Sequence, residues 1–131
     1  MSQENVDLFR AGIEAMNRRD IEGVFQGMDP AIRFEHRLAA LQGSFVGLDG
    51  VRGWFADLTE HFATWRIDCE DIRDLGDRVL ALGTIQTTGK GSGVETELPL
   101  AIVAEFRDGL VSDYIDYGDR AQALEAVGLS E

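Results

Sequence analysis

Residues 94–117 read VETELPLAIVAEFRDGLVSDYIDY, and this stretch decides the fold. Asp108 and Gly109 form a dipeptide that is typical of a tight β-hairpin turn. The apolar residues on either side of the turn follow the spacing of extended chain, which predicts one long strand over 94–107 and a last strand over 110–117. The chain therefore ends in an antiparallel hairpin, and the segments before it have to supply the rest of a sheet.

Strand patterns also occur upstream of this hairpin. Residues 65–73 and 78–88 are rich in apolar and β-branched residues, and Gly76-Asp77 between them is a turn signal. Nearer the N-terminus, apolar and charged residues alternate over 32–36, which predicts a short, half-buried strand. We therefore expect a run of antiparallel strands joined by short turns.

Apolar residues at helical spacing predict helices over 4–18, 20–28, 49–63 and 120–127. The glycine-containing segment before the third helix is predicted to be a loop. The third helix has the strongest pattern, a single apolar stripe made of Val51, Trp54, Phe55, Leu58 and Phe62. Helices ahead of an antiparallel sheet define an α+β protein, and 131 residues suit one domain over 1–131.

Charge and cysteine content limit the possible partners. There are 24 acidic and 12 basic residues, so the formal net charge is −12. This field repels phosphate backbones and anionic lipid surfaces, so nucleic acid and membranes are not expected partners. A single cysteine, Cys69, is expected to be a small core residue and favours a reducing, cytoplasmic location. With only two histidines beside it, no zinc site and no cofactor are expected.

Short sequence strings of a recognisable kind are spread over nearly the whole chain. They are Phe45-Val46-Gly47, Gly50-Val51-Arg52, Gly76-Asp77-Arg78-Val79, Gly91-Ser92-Gly93-Val94, Arg107-Asp108-Gly109, Tyr114-Ile115-Asp116-Tyr117 and Ala123-Leu124-Glu125-Ala126-Val127-Gly128-Leu129. In this order and spacing they resemble the SnoaL-like branch of the nuclear-transport-factor-2-like superfamily. That superfamily also holds ketosteroid isomerase and limonene epoxide hydrolase.

The resemblance implies a cone-shaped α+β barrel, in which a curved, mainly antiparallel sheet packs on N-terminal helices around an internal pocket. It also implies an apolar small-molecule ligand and a homodimer formed through the outer face of the sheet. The strand over 94–107 supports a dimer, because Ala101 and Val103 make its second face apolar as well. A strand that is apolar on both faces is covered on both faces.

Asp113 is the first candidate for a catalytic residue. It shares one face of the last strand with Val111 and Ile115, and these apolar neighbours predict that the face points inward. A buried carboxylate is paired, protonated or functional. The resemblance places Asp113 at the strand position where SnoaL-like cyclases carry an acidic catalytic residue. The alternative is a structural ion pair between Asp113 and an arginine.

His36 is the second candidate, as a general base. On a strand over 32–36 it shares the inward face with Ile32, although a shift of one residue would place Glu35 inside instead. A core histidine without a catalytic role is the alternative. For substrate binding, we expect four aromatic side chains to line the pocket, namely Phe34, Trp54, Trp65 and Tyr117. Trp54 lies on the apolar stripe of its helix, so plain core packing is the alternative for it.

Positions that matter in two relatives differ in this chain. Gly12 and Ile102 stand where the resemblance places the oxyanion donors of ketosteroid isomerase, and Gly83 and Ile85 stand where the epoxide hydrolases have an Arg-x-Asp pair. Neither activity is therefore predicted. Two alternatives stay open: a cofactor-free acid–base enzyme, cyclase-like or isomerase-like, acting on an apolar polycyclic substrate, or a non-catalytic ligand-binding or dimeric scaffold domain.

Overall fold

The computed structural model describes residues 2–37 and 43–129, which form four helices and six strands. In chain order these are α1 (Ser2–Asn17), α2 (Ile21–Phe25), β1 (Met28–His36), β2 (Gly43–Val46), α3 (Gly47–His61), β3 (Phe62–Asp74), β4 (Arg78–Gly89), β5 (Glu95–Arg107), β6 (Leu110–Asp116) and α4 (Arg120–Ala126). No helix of this described part is long and apolar enough to cross a membrane.

The six strands form one curved, unclosed sheet in the order β2-β1-β6-β5-β4-β3. All neighbours are antiparallel except β1 and β6, which are parallel. The hairpin between β5 and β6 turns at Asp108 and Gly109, whose φ angles are 54° and 80°. Positive φ at both central residues is what a type I′ hairpin turn requires, and Asp-Gly adopts it at low cost. The predicted α+β class is confirmed.

The inner face of the sheet, which α1 and α3 cover, carries the main core. Helix α1 contributes residues such as Phe9 and Met16, and α3 contributes the stripe that contains Trp54. The strands contribute Ile32, Phe34, Val79, Ile85, Ile102 and Tyr114, all buried. Burying such side chains stabilises the fold by about 1.5–3 kcal/mol each relative to an exposed position.

The outer face of the sheet is partly covered by α4. Asp119 caps this helix by accepting hydrogen bonds from the backbone N–H groups of Ala121 (2.8 Å) and Gln122 (3.4 Å). Ala123 and Leu124 of this helix pack in a second apolar cluster, which includes Ala101 and Val103. The apolar outer face of β5 thus has a cover within its own chain, and the homodimer stays a prediction.

Several boundaries differ from the sequence-based expectation because tertiary pairing overrides local pattern. The apolar spacing predicted helix up to residue 28, yet Met28 begins β1, where it pairs with Val111 of β6. The backbone N–H of Val111 donates to the carbonyl of Gly27 at 2.9 Å. The predicted loop before α3 contains a strand, β2, because Gly43–Val46 pairs with β1 and forms one edge of the sheet.

Candidate functional site

A β-bulge in β6 decides which of its side chains face inward. Glu105 of β5 pairs with Asp113, whereas the next residue, Phe106, pairs with Val111, so Ser112 is an extra residue in the ladder. A bulge of this kind reverses the alternation on the two sides of it. Val111 and Tyr114 therefore both belong to the inner core.

Asp113 lies on the outer face, so its expected inward orientation is wrong. Its carboxylate pairs with Arg33, with Nε of the arginine 2.9 Å from Oδ1, and the two side chains are 22% and 57% exposed. The physical reason is the bulge, which turns Val111 inward but leaves Asp113 outward. The ion-pair alternative for Asp113 is the one that the structure shows.

Tyr117 also lies outside the inner core, and its expected position in the pocket lining is wrong. It follows the end of β6, packs against the outer cluster under α4, and has the guanidinium of Arg37 4.7 Å from its ring centroid. The other three predicted aromatic residues, Phe34, Trp54 and Trp65, are buried in the inner core. Their role in substrate binding stays a prediction.

His36 faces inward, as the alternation of β1 predicts, and it meets a carboxylate that the sequence analysis did not select. His36 and Asp116 are register partners on the parallel strands β1 and β6. Nδ1 of His36 lies 3.2 Å from Oδ2 of Asp116, and the side chains are 2% and 0% exposed. Glu35 lies on the other face, where it pairs with Arg37.

Asp116 is held as an acceptor by the backbone around it. Its Oδ1 accepts from the N–H groups of Ala101 at 3.0 Å and Gly118 at 2.9 Å. Gly118 has a φ of 68°, a conformation that glycine adopts without strain. With Oδ1 occupied by two donors, Oδ2 is left to accept from Nδ1–H of His36. In a neutral imidazole, this bond places the lone pair on Nε2.

Aromatic rings enclose the imidazole of His36. The Trp54 ring is stacked on it, with centroids 4.7 Å apart and planes inclined by 6°. Phe34 meets it edge-on at 5.0 Å, and Tyr114 lies at 5.8 Å. Trp65 in turn meets the Trp54 ring edge-on at 6.2 Å. The histidine–aspartate pair is therefore set in an apolar wall from which bulk water is excluded.

Unpartnered polar atoms mark this wall. Within residues 2–37 and 43–129, Nε2 of His36, Nε1 of Trp65 and Oγ1 of Thr84 are buried without a hydrogen-bond partner. Buried polar atoms are nearly always paired in native proteins, so each exception needs an explanation. Two of the three belong to rings that contact Trp54.

Burial and nearby charge shift the pKa of two further groups. The pKa of Tyr114 lies well above its usual value of 10.0, first because the phenol is buried and then because Asp116 and Cys69 disfavour a second negative charge. Burial, followed by the charges of Asp116 and Asp68, raises the pKa of Cys69 from 9.0 to about 12. Both groups therefore stay protonated near neutral pH, which disfavours a nucleophilic role for Cys69.

A small apolar cavity of about 30 Å³ lies between α1 and the sheet, beside Tyr114. Its lining includes Gly12, Met16 and Val111. The predicted ligand pocket is larger than this space and stays a prediction. Among the described residues, no group of three or more histidine, cysteine, aspartate or glutamate side chains is placed to hold a metal ion.

The chain matches a known family. The model of the SnoaL-like domain matches residues 9–114, and the chain belongs to this family. The comparison with curated proteins gives no match.

Solved structures share the fold over nearly the whole chain. An NTF2-like protein of unknown function from Burkholderia pseudomallei K96243 is 26% identical, with a TM-score of 0.80 and coverage of 95% of this chain and 98% of that one. TerC, co-crystallised with polyporic acid, is 24% identical, with a TM-score of 0.80 and the same coverage of 95% and 98%. A proposed polyketide cyclase from Xanthomonas campestris pv. campestris is 19% identical, with a TM-score of 0.74 and coverage of 97% and 98%.

Proposed function

We propose that the protein binds an apolar cyclic small molecule at the ring wall around His36 and moves a proton on it without a cofactor. His36 is the base, acting through Nε2, and Asp116 is a positioning residue that holds the imidazole through Nδ1. The observation that carries the proposal is the buried His36–Asp116 pair, whose Nε2 atom has no partner among the described residues.

The proposed step is a reversible proton transfer. The C–H bond next to a ligand carbonyl breaks, the proton passes to Nε2 of His36, and the electron pair stays on the ligand as an enolate. The imidazolium that forms is stabilised by the Asp116 carboxylate 3.2 Å from Nδ1. A positioned base of this type contributes about 10²–10⁴-fold in rate. Return of the proton from Nε2 to the same carbon gives exchange, and its delivery to a different carbon of a conjugated enolate gives isomerisation. For cyclisation, the enolate carbon bonds to a second carbonyl carbon of the same ligand, that C=O π bond breaks, and the resulting alkoxide takes the proton from Nε2.

The chemistry of the wall favours an apolar ligand. Phe34, Trp54 and Tyr114 offer ring faces and edges, and aromatic pairs contribute about 0.5–1.5 kcal/mol beyond the area they bury. The net charge of −12 disfavours an anionic ligand. Because Nε2 is buried in this structure, access to it requires a neighbouring side chain to move.

The stacking of Trp54 on His36 favours a second candidate function. Trp54 fills the position over His36 that a flat ligand would take, with a centroid separation of 4.7 Å. A domain whose interior is filled by its own side chains suits a scaffold or a ligand-binding module without chemistry. In that case His36 and Asp116 only satisfy each other's hydrogen-bonding capacity in the core and have no catalytic role.

Hydrogen–deuterium exchange separates the two candidates. The probe is 2-tetralone, an apolar bicyclic ketone, in D₂O, with loss of the protons beside its carbonyl followed by NMR. We expect exchange above the buffer rate with the wild type, and a loss of about 10²–10⁴-fold with His36→Gln. His61→Gln is the matched control, because that exposed histidine is at the end of α3, and its rate should equal the wild-type rate. Binding of 2-tetralone without enhanced exchange would favour the non-catalytic module.

A further inference from the structure

Strand β3 forms one edge of the sheet and is 13 residues long, whereas β2 at the other edge has four residues. An edge strand presents a row of backbone N–H and C=O groups with which another chain can pair. This surface is separate from the outer face of the sheet. The partners of its backbone groups decide whether it is open or closed.

The end of α1 covers the middle of this edge. Asn17, the last residue of α1, donates from Nδ2 to the carbonyl of Ile67 at 2.8 Å, and its Oδ1 accepts from the N–H of the same residue, also at 2.8 Å. These are the two bonds that a neighbouring strand would make with Ile67. In addition, Nη2 of Arg19 donates to the carbonyl of Trp65. The side chains of Asn17 and Arg19 thus take the place of a strand partner.

Arg19 is held in place for this contact. Its φ is 63°, a left-handed conformation that is unfavourable for a residue with a Cβ atom. Its Nη1 donates to the carbonyls of Met16 at 3.0 Å and Asn17 at 3.1 Å, and its guanidinium carbon lies 3.6 Å from the ring centroid of Trp65. These contacts offset the unfavourable conformation and fix the chain after α1 against β3.

The covered edge is complementary to itself. Trp65, Ile67 and Cys69 direct their backbone groups away from β4, because alternate residues of a strand do so. In an antiparallel pair of β3 strands with Ile67 opposite Ile67, Trp65 lies opposite Cys69, and the outward groups of all three residues can pair. Arg66 of each copy then lies opposite Asp68 of the other copy, and these side chains are 64% and 36% exposed. Opposite charges at opposed positions favour such a pair.

We infer that the end of α1 is a removable cap on a self-pairing surface, and that the partner which this surface fits is the β3 edge of a second copy of the chain. Asn17 occupies the central position of that register, Ile67, so the capped edge and the paired edge exclude each other. When the last turn of α1 is released, two copies join through β3. The inference goes beyond the proposed function, because it concerns backbone groups at the edge of the sheet.

Amide hydrogen exchange, followed by NMR, tests the cap. The N–H of Ile67 bonds to Asn17, so Asn17→Ala should accelerate its exchange by about tenfold or more, the effect of one lost hydrogen bond. Asn5→Ala is the matched control, since Asn5 lies on the same helix and donates to the carbonyl of Gly76 at 3.1 Å. It should leave the exchange of Ile67 unchanged. Equal exchange of Ile67 in the wild type and in Asn17→Ala would overturn the cap.

Sedimentation equilibrium tests the partner. The uncapped variant is Asn17→Ala/Arg19→Gly, in which glycine suits the left-handed φ at position 19. We expect its average mass to rise to at least about twice the wild-type mass as the concentration increases from about 10 µM to 1 mM, the range of a small interface. Asn5→Ala should keep the wild-type mass. An uncapped variant with the wild-type mass at every concentration would overturn the inference.

Charge reversal identifies the surface through which the copies join. Added to the uncapped variant, Arg66→Asp places acids opposite acids and should return the mass to the wild-type value. Arg66→Asp together with Asp68→Arg restores opposite charges and should restore association. Association that is unaffected by Arg66→Asp would show that another surface is the partner. Circular dichroism checks that each variant is folded, and Asn17→Ala alone replaces an uncapped variant that does not fold.

Discussion

Nδ1 of His36 lies 3.2 Å from Oδ2 of Asp116, across two parallel strands and 80 residues of sequence. The other carboxylate oxygen of Asp116, Oδ1, accepts hydrogen bonds from two backbone N–H groups. Oδ2 is therefore the acceptor and Nδ1–H of His36 the donor in the bond between the two side chains. The protein thus has a buried acid, but it is Asp116 and not Asp113.

The two aspartates should respond differently to the same substitution. Asp116→Asn removes the charge-assisted acceptor of a buried histidine and is expected to lower the free energy of unfolding by about 1–3 kcal/mol. Asp113→Asn breaks an ion pair whose arginine is 57% exposed, and pairs of this kind contribute about 0–1 kcal/mol. Urea denaturation of both variants at pH 7 measures the difference. A larger loss for Asp113→Asn would contradict the assignment of the buried acid.

The sequence predicted the parts of the fold that depend on local pattern. The β5–β6 hairpin follows from Asp108 and Gly109, which accept positive φ, and the stripe of α3 follows from residues such as Trp54 that recur at helical spacing. The inward position of His36 follows from the regular alternation of apolar and charged residues over 32–36 of β1. These features need no information from other strands.

The site residue that was missed depends on pairing between strands. Val111 and Ile115 indicated an inward face for Asp113, but the bulge at Ser112 reverses the alternation, and its position is set by Glu105 and Phe106 on the neighbouring strand. One signal was available: Asp116, the last residue of β6, shares a strand face with Tyr114 by the period of two. The pairing of Asp116 with His36 could not be read from either segment alone.

Gly83 is required by a close approach of two strands. A Cβ atom built at Gly83 would lie 1.9 Å from the backbone carbonyl oxygen of Asp68, next to an irregularity in the pairing of β3 and β4. Gly83→Ala is therefore expected to destabilise the protein by about 3 kcal/mol or more, because the backbone has to move.

Gly53→Ala is the matched control for that substitution. Gly53 lies on the exposed side of α3 with nothing within 4 Å of an added Cβ atom, so alanine should stabilise the protein by about 0.5–1 kcal/mol. Both variants can be compared with the wild type by urea denaturation. A stable Gly83→Ala protein would show that β3 and β4 do not approach each other as described.

Cys69 should make the stability of the protein decrease at alkaline pH. Its pKa is raised from 9.0 to about 12 in the folded state, so folding favours the protonated thiol. The stabilising contribution is complete below the unfolded-state pKa and is lost as pH rises from there toward the folded-state pKa.

Tyr114 also has a raised pKa and lowers stability at alkaline pH in both proteins. Comparing the wild type with Cys69→Ala therefore isolates the effect of the thiol. Between pH 8 and pH 10.5, urea denaturation should show the wild type losing stability relative to the variant. A disulfide reagent at pH 8 should also label Cys69 slowly in the native protein and rapidly in urea. A wild type that gains stability relative to Cys69→Ala would mean that the thiolate is favoured by folding.

The tautomer of His36 tests the central claim most directly. With ¹⁵N-labelled histidine there are two ring spin systems, and His61→Gln identifies the one that belongs to His36. In long-range ¹H–¹⁵N correlation spectra of the neutral ring, we expect the proton on Nδ1 and the lone pair on Nε2, and we expect Asp116→Asn to shift the population toward the Nε2–H form. A wild type with the proton on Nε2, or a tautomer that does not respond to Asp116→Asn, would contradict the claim that Asp116 holds His36 as a base.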